Sequence, residues 1–309
     1  MSGIVVGIDG GGSKTLAIVA DDAGETLGRF TGPASALRSG DVEQSAAVIA
    51  EAVRGALAAA KQGDAIPRSL CAGIAGVGRE ADRLRLEQAV SRLGIADSVS
   101  VDTDFSIALD DAFRDGPGVL LIAGTGSVAF GRSPAGATAR CGGWGPVCGD
   151  EGSGAWIGRR ALSIVTGAAD GREPETALTG ALLTTLQLDE TNDLIAWAGQ
   201  ASTTELAALA QVVMGVANAG DLRANALVAL AVEELVLHVR SLARQLFVDE
   251  RAAIPVALSG GLMKRGSLLR KRLEHRLRSL VPGSEVRSDP VDAARGAVRR
   301  ALLLVAAAR

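Results

Sequence analysis

Several residue types that mark particular protein classes are scarce in this chain. The 309 residues include no Tyr, and aromatic residues make up only 3 %. Such a composition argues against the aromatic platforms on which single-stranded nucleic acids stack. The formal net charge of −3 gives no basic excess, so no nucleic acid is expected as a partner. With 48 % apolar residues, a core is available, but it must consist of Ala, Leu, Val and Ile.

Cysteine and long apolar segments are also scarce. Cys71, Cys141 and Cys148 show no CxxC spacing, so we expect neither a disulfide framework nor a cysteine metal site. The longest apolar tracts, such as Ala301–Ala308, are too short to cross a membrane. No basic run leads into an apolar segment near the start, which predicts no signal peptide. We therefore expect a soluble, cytoplasmic protein with no membrane partner.

The most informative stretch lies between two β-rich runs near the start of the chain. It reads Gly7-Ile8-Asp9-Gly10-Gly11-Gly12-Ser13-Lys14-Thr15 and predicts two strands joined by a glycine turn. Three consecutive glycines allow the backbone to take positive φ and to approach a ligand closely. N–H groups in such a turn bind anions, and Asp9 can hold a cation beside the anion. The stretch alone leaves two possibilities open, an ordinary hairpin and a Mg²⁺–nucleotide phosphate site.

A similar hairpin recurs in the middle of the chain. Its predicted strands, Val119–Ala123 and Val128–Arg132, enclose the turn Gly124-Thr125-Gly126-Ser127. The recurrence predicts two related lobes, each starting with a hairpin whose turn binds phosphate. Because Gly116-Pro117-Gly118 marks a boundary, we expect lobes at 1–115 and 116–289, with the final helix, 290–309, returning to the first.

Strands alternate with helices, which predicts βαβ units and a largely parallel sheet. Asp41 is expected to cap a helix over Val42–Ala60, and Asp289 a final helix over Val291–Ala308. Basic groups in the last two helices alternate with apolar ones, which is typical of a solvated face. The chain from Ala155 to Phe247 is predicted to be a helical insertion in the second lobe.

The densest glycine cluster is the loop Gly142-Gly143-Trp144-Gly145-Pro146-Val147-Cys148-Gly149-Asp150-Glu151-Gly152-Ser153-Gly154. Long loops in compact domains are often functional. Trp144 offers an apolar ring with one N–H donor, and Asp150 offers a carboxylate. We expect both to bind a ligand. The alternative is that Asp150 and Glu151 complement the dipole of the next helix as first-turn acids.

Single glycine motifs are weak evidence, but their order here is specific. The stretch GGGSKT is not a Walker A loop, because Ser precedes Lys14 and no helix follows. The series DGGGSKT, DTD, AGTGS, GGWGPVCGDEGSGAW and SGG resembles the sugar-kinase, heat-shock-ATPase and actin superfamily. Within it, the chain resembles the N-acetylglucosamine kinase branch of the BadF/BadG/BcrA/BcrD ATPase family over nearly its whole length. The resemblance implies an α/β fold of two ribonuclease H-like lobes with a central nucleotide cleft (the actin-like ATPase fold), ATP and Mg²⁺ as cofactors, and a homodimer.

The resemblance also implies roles for individual residues. Asp104, in a strand-to-helix Thr-Asp motif, corresponds to the catalytic base and contacts the sugar. Asp102 is the competing carboxylate, and a helix N-cap is the alternative role for Asp104. Asp9 corresponds to the Mg²⁺ ligand, acting through water. The implied nucleotide-binding residues are Asp9, Gly11, Gly12, Ser13, Lys14, Thr15, Gly124, Thr125, Gly126, Ser127, Ser259, Gly260 and Gly261. The further implied sugar-binding residues are Gly76, Gly143, Trp144 and Asp150.

The implied activity is ATP-dependent phosphorylation of an amino sugar, N-acetylglucosamine or glucosamine, at the 6-hydroxyl. The first lobe departs from the family pattern, because Ala36 and Ala75 stand where such kinases often have an Asn and a Ser. Missing hydrogen-bond donors weaken discrimination between sugars. Glucosamine, another hexose or another N-acetylhexosamine therefore remains open as the substrate.

The same residues argue against three other functions. A regulatory ATPase that activates a dehydratase or reductase needs cysteine ligands for a [4Fe–4S] cluster at a dimer interface, but Cys141 and Cys148 flank the expected sugar loop instead. A sugar kinase of the repressor/kinase type needs a zinc-binding His and Cys set that the sequence lacks. A sugar sensor without catalysis is disfavoured by the presence of both Asp9 and Asp104.

Overall fold

The structure is a computed structural model that describes residues 3–37, 41–247 and 253–307. Its chain forms two compact units, Met1–Asp115 together with Pro290–Arg309, and Gly116–Asp289. Unit 1 begins with the elements β1 Ile4–Gly10, β2 Thr15–Asp21, β3 Thr26–Gly32, α1 Val42–Ala59, β4 Ser69–Ile74, α2 Glu80–Arg92, β5 Val99–Thr103 and α3 Asp104–Phe113. Unit 2 contains β6 Gly118–Ala123, β7 Ser127–Arg132, β8 Thr138–Gly142, α4 Gly145–Cys148, α5 Gly154–Ala169, α6 Leu178–Leu186, α7 Asp193–Gln200, α8 Thr203–Asn218, α9 Leu222–Leu246, β9 Ile254–Ser259, a 3₁₀ turn at Gly261–Met263, α10 Leu268–Leu280 and β10 Ser284–Val286. The last helix, α11 Ala293–Ala307, belongs to unit 1.

Unit 1 is built on a five-stranded sheet, sheet A, in the order β3-β2-β1-β4-β5. The first three strands are antiparallel neighbours, and β1, β4 and β5 run parallel. Both faces are covered, because alternate residues of a strand point to opposite sides. Ile8 and Leu70 pack under α1 and α2, whereas Val5 and Cys71 pack against α3 and α11.

Unit 2 repeats this topology in sheet B, with the order β10-β9-β6-β7-β8. Its strands β6, β7 and β8 are antiparallel neighbours, and β6, β9 and β10 run parallel. One apolar core joins the sheet to the helical segment, with Leu121, Ile157, Leu178, Val228 and Leu273 fully buried. The aliphatic core expected from the scarcity of aromatics is therefore present.

Three sequence-based expectations about the fold were wrong. Neither sheet is largely parallel, because half of the neighbouring pairs in each are antiparallel. Strand β8 was not predicted, since it is a short outer strand with alternating exposure. The final helix is capped by Asp292, which accepts the N–H groups of Arg295 (3.3 Å) and Gly296 (3.1 Å), and not by Asp289. Its predicted last residue, Ala308, lies outside the described residues.

Other boundaries agree closely with the sequence pattern. Asp41 caps α1 by accepting the N–H of Gln44 at 3.2 Å, as expected.

Within residues 3–37, 41–247 and 253–307, none of the helices combines the length and hydropathy that a membrane span requires.

Candidate active site

The carboxyl ends of three parallel strands bring the expected residues of unit 1 together. Strands β1, β4 and β5 are neighbours and end at Gly10, Ile74 and Thr103. The N–H of Ala75 donates to the carbonyl of Gly10 at 2.8 Å, and Asp104 opens the helix after β5. Ligands of α/β proteins commonly bind at such an edge. The glycine turn, the Ala75–Gly76 turn and Asp104 therefore share one edge of sheet A.

The glycine turn itself is an exposed four-residue loop between β1 and β2. The N–H of Gly11 donates to the carbonyl of Lys14 at 3.0 Å and closes the loop, while Ser13 and Lys14 are exposed. Neither Gly11 nor Gly12 has positive φ, so the turn does not use this conformational freedom. A Cβ on Gly12 would have no atom of the chain within 4 Å. No contact within the chain requires glycine at position 12.

Thr15 has a structural role that the sequence did not indicate. Its hydroxyl is fully buried, donates to the carbonyl of Pro33 at 2.6 Å and lies 2.8 Å from the hydroxyl of Ser35. The N–H of Ala36 in turn donates to the carbonyl of Gly11 at 3.2 Å. The Thr15 side chain thus fastens the loop after β3 to the glycine turn and is not free for a phosphate.

The Ala75–Gly76 turn packs against the same loop. Gly76 has φ +91°, and a Cβ there would collide with the carbonyl oxygen of Leu37. The N–H of Leu37 donates to the carbonyl of Ala75 at 2.9 Å. Because the N–H groups of Ala36 and Ala75 also bond to the glycine turn, these two residues present only methyl groups. Positions 36 and 75 therefore lack the Asn and Ser side chains of the family pattern, and their backbone N–H groups are not free to take the place of those donors.

The two candidate carboxylates after β5 have different surroundings. Asp102 forms an ion pair with Arg300 and accepts the N–H of Thr103 at 2.7 Å. Asp104 is the first residue of α3, whose N-cap is Thr103, so the N-cap alternative for Asp104 is wrong. The Asp104 carboxylate accepts the N–H of Phe105 at 3.0 Å. Burial raises the pKa of Asp104 above its ordinary value, against the lowering effect of its backbone hydrogen bonds.

Asp9 lies in a negative environment. Burial first, and then the charges of Asp104 and Asp292, raise the pKa of Asp9 to about 6, with only Lys14 acting against them. A hard cation at this carboxylate would relieve the repulsion, and carboxylate oxygens are ligands that Mg²⁺ accepts. Among the described residues no group of three or more His, Cys, Asp or Glu side chains forms a metal cage. The donor set fits a Mg²⁺ ion that keeps water and substrate oxygens as most of its ligands.

The equivalent edge of sheet B gathers the expected nucleotide residues of unit 2. Parallel neighbours β6 and β9 end at Ala123 and Ser259. Gly260 has φ +99° and lies so close to Ala123 that a Cβ would collide with its backbone. Within the first turn, the N–H of Gly124 donates to the carbonyl of Gly126 at 2.9 Å. The turns Gly124–Ser127 and Ser259–Gly261 are therefore side by side.

Helix α5 is anchored on the first of these turns. The N–H groups of Gly154 and Ala155 donate to the carbonyls of Gly124 (2.8 Å) and Thr125 (3.2 Å). The buried hydroxyl of Ser127 donates to the carbonyl of Glu151 at 2.7 Å. Of the four turn residues, Thr125 is the exposed one, and the Ser127 side chain is committed to the fold.

Asp150 lies against the same turn. It is 7 % exposed, has φ +59°, and its Oδ2 would be 2.7 Å from a Cβ on Gly126. Helix α5 begins only at Gly154, with Ser153 as the N-cap that accepts the N–H of Trp156 at 3.2 Å. The first-turn-acid alternative for Asp150 is therefore wrong. Gly126 is a glycine because the Asp150 carboxylate occupies the space of a side chain.

Trp144 is exposed beside a groove of unit 2. The residue is 68 % exposed, and the centre of its ring lies 4.8 Å from the guanidinium carbon of Arg140. Gly143 has φ +71°, and its N–H donates to the carbonyl of Ser127 at 3.0 Å. Part of the loop after it is a short helix, α4, whose Pro146 carbonyl accepts a hydrogen bond from Arg159. The loop is thus tied to both the turn Gly124–Ser127 and α5, with one face of the Trp144 ring covered by Arg140.

One set of residues near Asp104 was missed. The basic groups of the last helix were expected to be solvated, but Arg295, Arg299 and Arg300 all bond to α3. Alternation of charge and apolar residues does not distinguish a solvated arginine from one that meets carboxylates of another helix. The sequence signal is the adjacent pair Asp110-Asp111 among the apolar residues of this segment, because buried carboxylates are almost always paired.

Two units with the same mixed sheet, each with a glycine turn at the carboxyl edge, define an α/β protein of the actin-like ATPase fold. The chain belongs to the BadF/BadG/BcrA/BcrD ATPase family, whose sequence model matches residues 6–303.

Named relatives of high coverage support this assignment. An N-acetyl-D-glucosamine kinase of Dictyostelium discoideum is 32 % identical, with 97 % of this chain and 98 % of the relative covered. An N-acetylmuramic acid/N-acetylglucosamine kinase of Clostridium acetobutylicum is 33 % identical, with 95 % and 96 % covered. The crystal structure of a candidate N-acetylglucosamine kinase from Chromobacterium violaceum has a TM-score of 0.79 at 31 % identity, with 98 % and 99 % covered.

Proposed function

We propose that this protein is an ATP-dependent kinase that phosphorylates an amino sugar, N-acetylglucosamine or glucosamine, at the 6-hydroxyl. The observation that carries the proposal is the position of Asp104. This carboxylate shares an edge of sheet A with the glycine turn of Asp9 and is neither an N-cap nor part of an ion pair in the described contacts. The names of the relatives at 32 % and 33 % identity support an amino sugar as the acceptor.

In the proposed reaction, Asp104 accepts the proton of the sugar hydroxyl as its oxygen attacks the γ-phosphorus of ATP. The raised pKa of the Asp104 carboxyl makes it a stronger base than an ordinary aspartate, which favours proton transfer. Most of the catalysis in phosphoryl transfer comes from positioning and from neutralising charge on the phosphoryl oxygens. Backbone N–H groups of the two glycine turns and the Lys14 ammonium are the groups assigned to that role.

The proposed cofactor site centres on Asp9. Mg²⁺, when bound, supplies positive charge that offsets the negative charge of the β- and γ-phosphates. Asp9 would hold it through water, and Asp292 adds negative charge nearby. The turn Ser259–Gly261 is assigned to the adenosine, and Gly143, Trp144, Asp150 and Gly76 to the sugar.

The proposed choice between N-acetylglucosamine and glucosamine depends on the loop after β3 and on the Ala75–Gly76 turn. Ala36 and Ala75 offer no side-chain donor, and their N–H groups are already bonded to Gly11 and Gly10. A site without such donors rejects a wrong sugar less strongly than one that must satisfy buried polar groups. We therefore include glucosamine beside the acetylated sugar, with other hexoses or N-acetylhexosamines as weaker substrates.

A coupled ADP-release assay against glucosamine, N-acetylglucosamine, N-acetylmannosamine and glucose tests the proposal. We expect the largest kcat/KM with one of the first two, and a phosphorus–proton coupling to the C6 protons in the NMR spectrum of the product. Omission of Mg²⁺ should abolish turnover. ADP release that no sugar accelerates would refute the proposal.

The regulatory-ATPase alternative makes opposite predictions for the same sample. It requires bound iron and ATP turnover independent of sugar, whereas an iron-free protein with sugar-dependent turnover supports the kinase.

We further propose a cytoplasmic homodimer on the strength of the family resemblance. Light scattering coupled to size-exclusion chromatography tests the homodimer, and a mass of one chain would refute it.

A further inference from the structure

Arg300 of α11 contacts the chain on both sides of Asp104. Its Nη1 donates to the carboxylate of Asp102, two residues before Asp104, and its Nη2 donates to the hydroxyl of Ser106, two residues after it, at 2.8 Å. Its Nε donates to Asp110, one turn further along α3. One guanidinium therefore joins the end of β5 to the first and second turns of α3.

Close backbone packing at Gly296 sets the distance of α11 from α3, and with it the position of this guanidinium. Gly296 lies so close to the carbonyl of Ile107 that no Cβ would fit between the two helices. Arg299 donates to the carbonyl of Asp110, and Arg295 forms a two-bond ion pair with Asp111 at 2.6 and 2.9 Å. The two helices are thus in backbone contact, and a movement of either one would break several charged hydrogen bonds.

The Arg300 cation is maintained in spite of its burial. Burial opposes its charge, but hydrogen bonds and charges from Asp110 and Asp102 outweigh that effect and raise the pKa of the guanidinium above its ordinary value. The three acceptors are bonded by three different nitrogens of the planar guanidinium, a spread that the single nitrogen of a lysine ammonium does not reproduce. The contacts therefore call for arginine at position 300.

We propose that Arg300 is a positioning residue for Asp104. It fixes the junction of β5 and α3, so that the Asp104 carboxylate stays within hydrogen-bond reach of the sugar hydroxyl; this role rests on the function proposed above. The oxygen of a general base must lie within about 3.2 Å of the oxygen whose proton it accepts, and a misplacement of about 1 Å can lower a rate by about 100-fold. Pairing with Arg300 also occupies Asp102 and leaves Asp104 as the available carboxylate.

Three variants separate positioning from general stability. Arg300→Lys keeps a cation but loses the planar guanidinium. The double variant Asp102→Asn/Arg300→Met removes one carboxylate and one cation, so that the formal charge of the cluster is unchanged. Arg295→Gln is the control, because it breaks an ion pair between the same two helices at Asp111, which lies further along α3 than any acceptor of Arg300.

Steady-state kinetics provide the first measurement. We expect kcat to fall by about 10-fold in Arg300→Lys and about 100-fold in the double variant, with the KM values for ATP and sugar changed less than about threefold. Arg295→Gln should keep kcat within about threefold of the wild type. A loss of kcat in Arg295→Gln as large as in Arg300→Lys would overturn the proposal, because stability alone would then explain both.

Hydrogen–deuterium exchange provides a measurement that does not depend on the reaction. Peptides covering residues 99–110 should exchange faster in both Arg300 variants than in the wild type, and faster than in Arg295→Gln. Unchanged exchange in this segment would overturn the proposal whatever the kinetics. If the wild type released no ADP with any sugar, the proposed function would fail, while the exchange comparison would still decide whether Arg300 fixes the junction.

Discussion

Replacement of Asp9 by Asn should stabilise the fold at neutral pH while it removes function. The pKa of Asp9 is raised from 3.8 to about 6 in the folded chain, by burial and then by Asp104 and Asp292. Because the folded value exceeds the unfolded one, ionised Asp9 destabilises the fold above pH 6, and this penalty disappears as the pH falls below 3.8. A difference of that size corresponds to at most about 3 kcal/mol, since one pKa unit is worth about 1.4 kcal/mol.

Urea unfolding followed by far-ultraviolet circular dichroism measures this effect. Tryptophan fluorescence is unsuitable, because Trp144, Trp156 and Trp197 all lie in unit 2 and Asp9 lies in unit 1. We expect Asp9→Asn to raise the free energy of unfolding by about 1–3 kcal/mol at pH 8 and by only about 0.5 kcal/mol near pH 4. Asp64→Asn, at an exposed position of the loop before β4, is the matched control.

The ligand response of the same variant completes the test. Mg²⁺ and ATP should raise the unfolding free energy of the wild type and raise that of Asp9→Asn much less. If Asp9→Asn were no more stable than the wild type at pH 8, or equally stabilised at pH 4 and pH 8, the electrostatic reasoning would be refuted.

Two further predictions concern backbone space and sugar contacts. Gly12→Ala should leave the thermal midpoint unchanged but weaken ATP binding about tenfold, because its Cβ meets no atom of the chain. Gly260→Ala, at φ +99° against Ala123, should lower the midpoint and cost more than about 1 kcal/mol; equal midpoints by calorimetry would contradict this. Ala36→Asn should lower the KM for the sugar up to about tenfold by adding one hydrogen bond, and an unchanged KM would place position 36 away from the sugar.

Much of the fold follows from local patterns in the sequence. Repeated strand–turn–strand segments and the apolar stretches between them predict where the strands lie, and Asp41 predicts the start of α1. The two hairpins predicted at the glycine turns are present as the antiparallel pairs β1–β2 and β6–β7. The prediction of a largely parallel sheet gave too little weight to these hairpins and to the outer strands. Strand β8 was not predicted, because a half-exposed outer strand has little apolar periodicity.

The candidate site shows a similar division between local and long-range information. The glycine turns and Asp104 were indicated by short motifs, and the structure brings those of each unit to one sheet edge. The roles of Thr15 and Gly76 depend on contacts with the loop after β3, which lies about 20 to 40 residues away in the chain. The Arg300–Asp102 pair joins residues 198 positions apart, and no periodicity within one helix contains that information.

The most direct test of the account is sugar-dependent ADP release by the wild type and by Asp104→Asn, measured side by side with saturating ATP and Mg²⁺. The account predicts that the wild type turns over with N-acetylglucosamine or glucosamine. It predicts that kcat of Asp104→Asn falls by about 10²–10⁴-fold, while calorimetry shows ATP affinity within about threefold of the wild type. Near-normal turnover by Asp104→Asn, or no sugar-dependent turnover by the wild type, would contradict it.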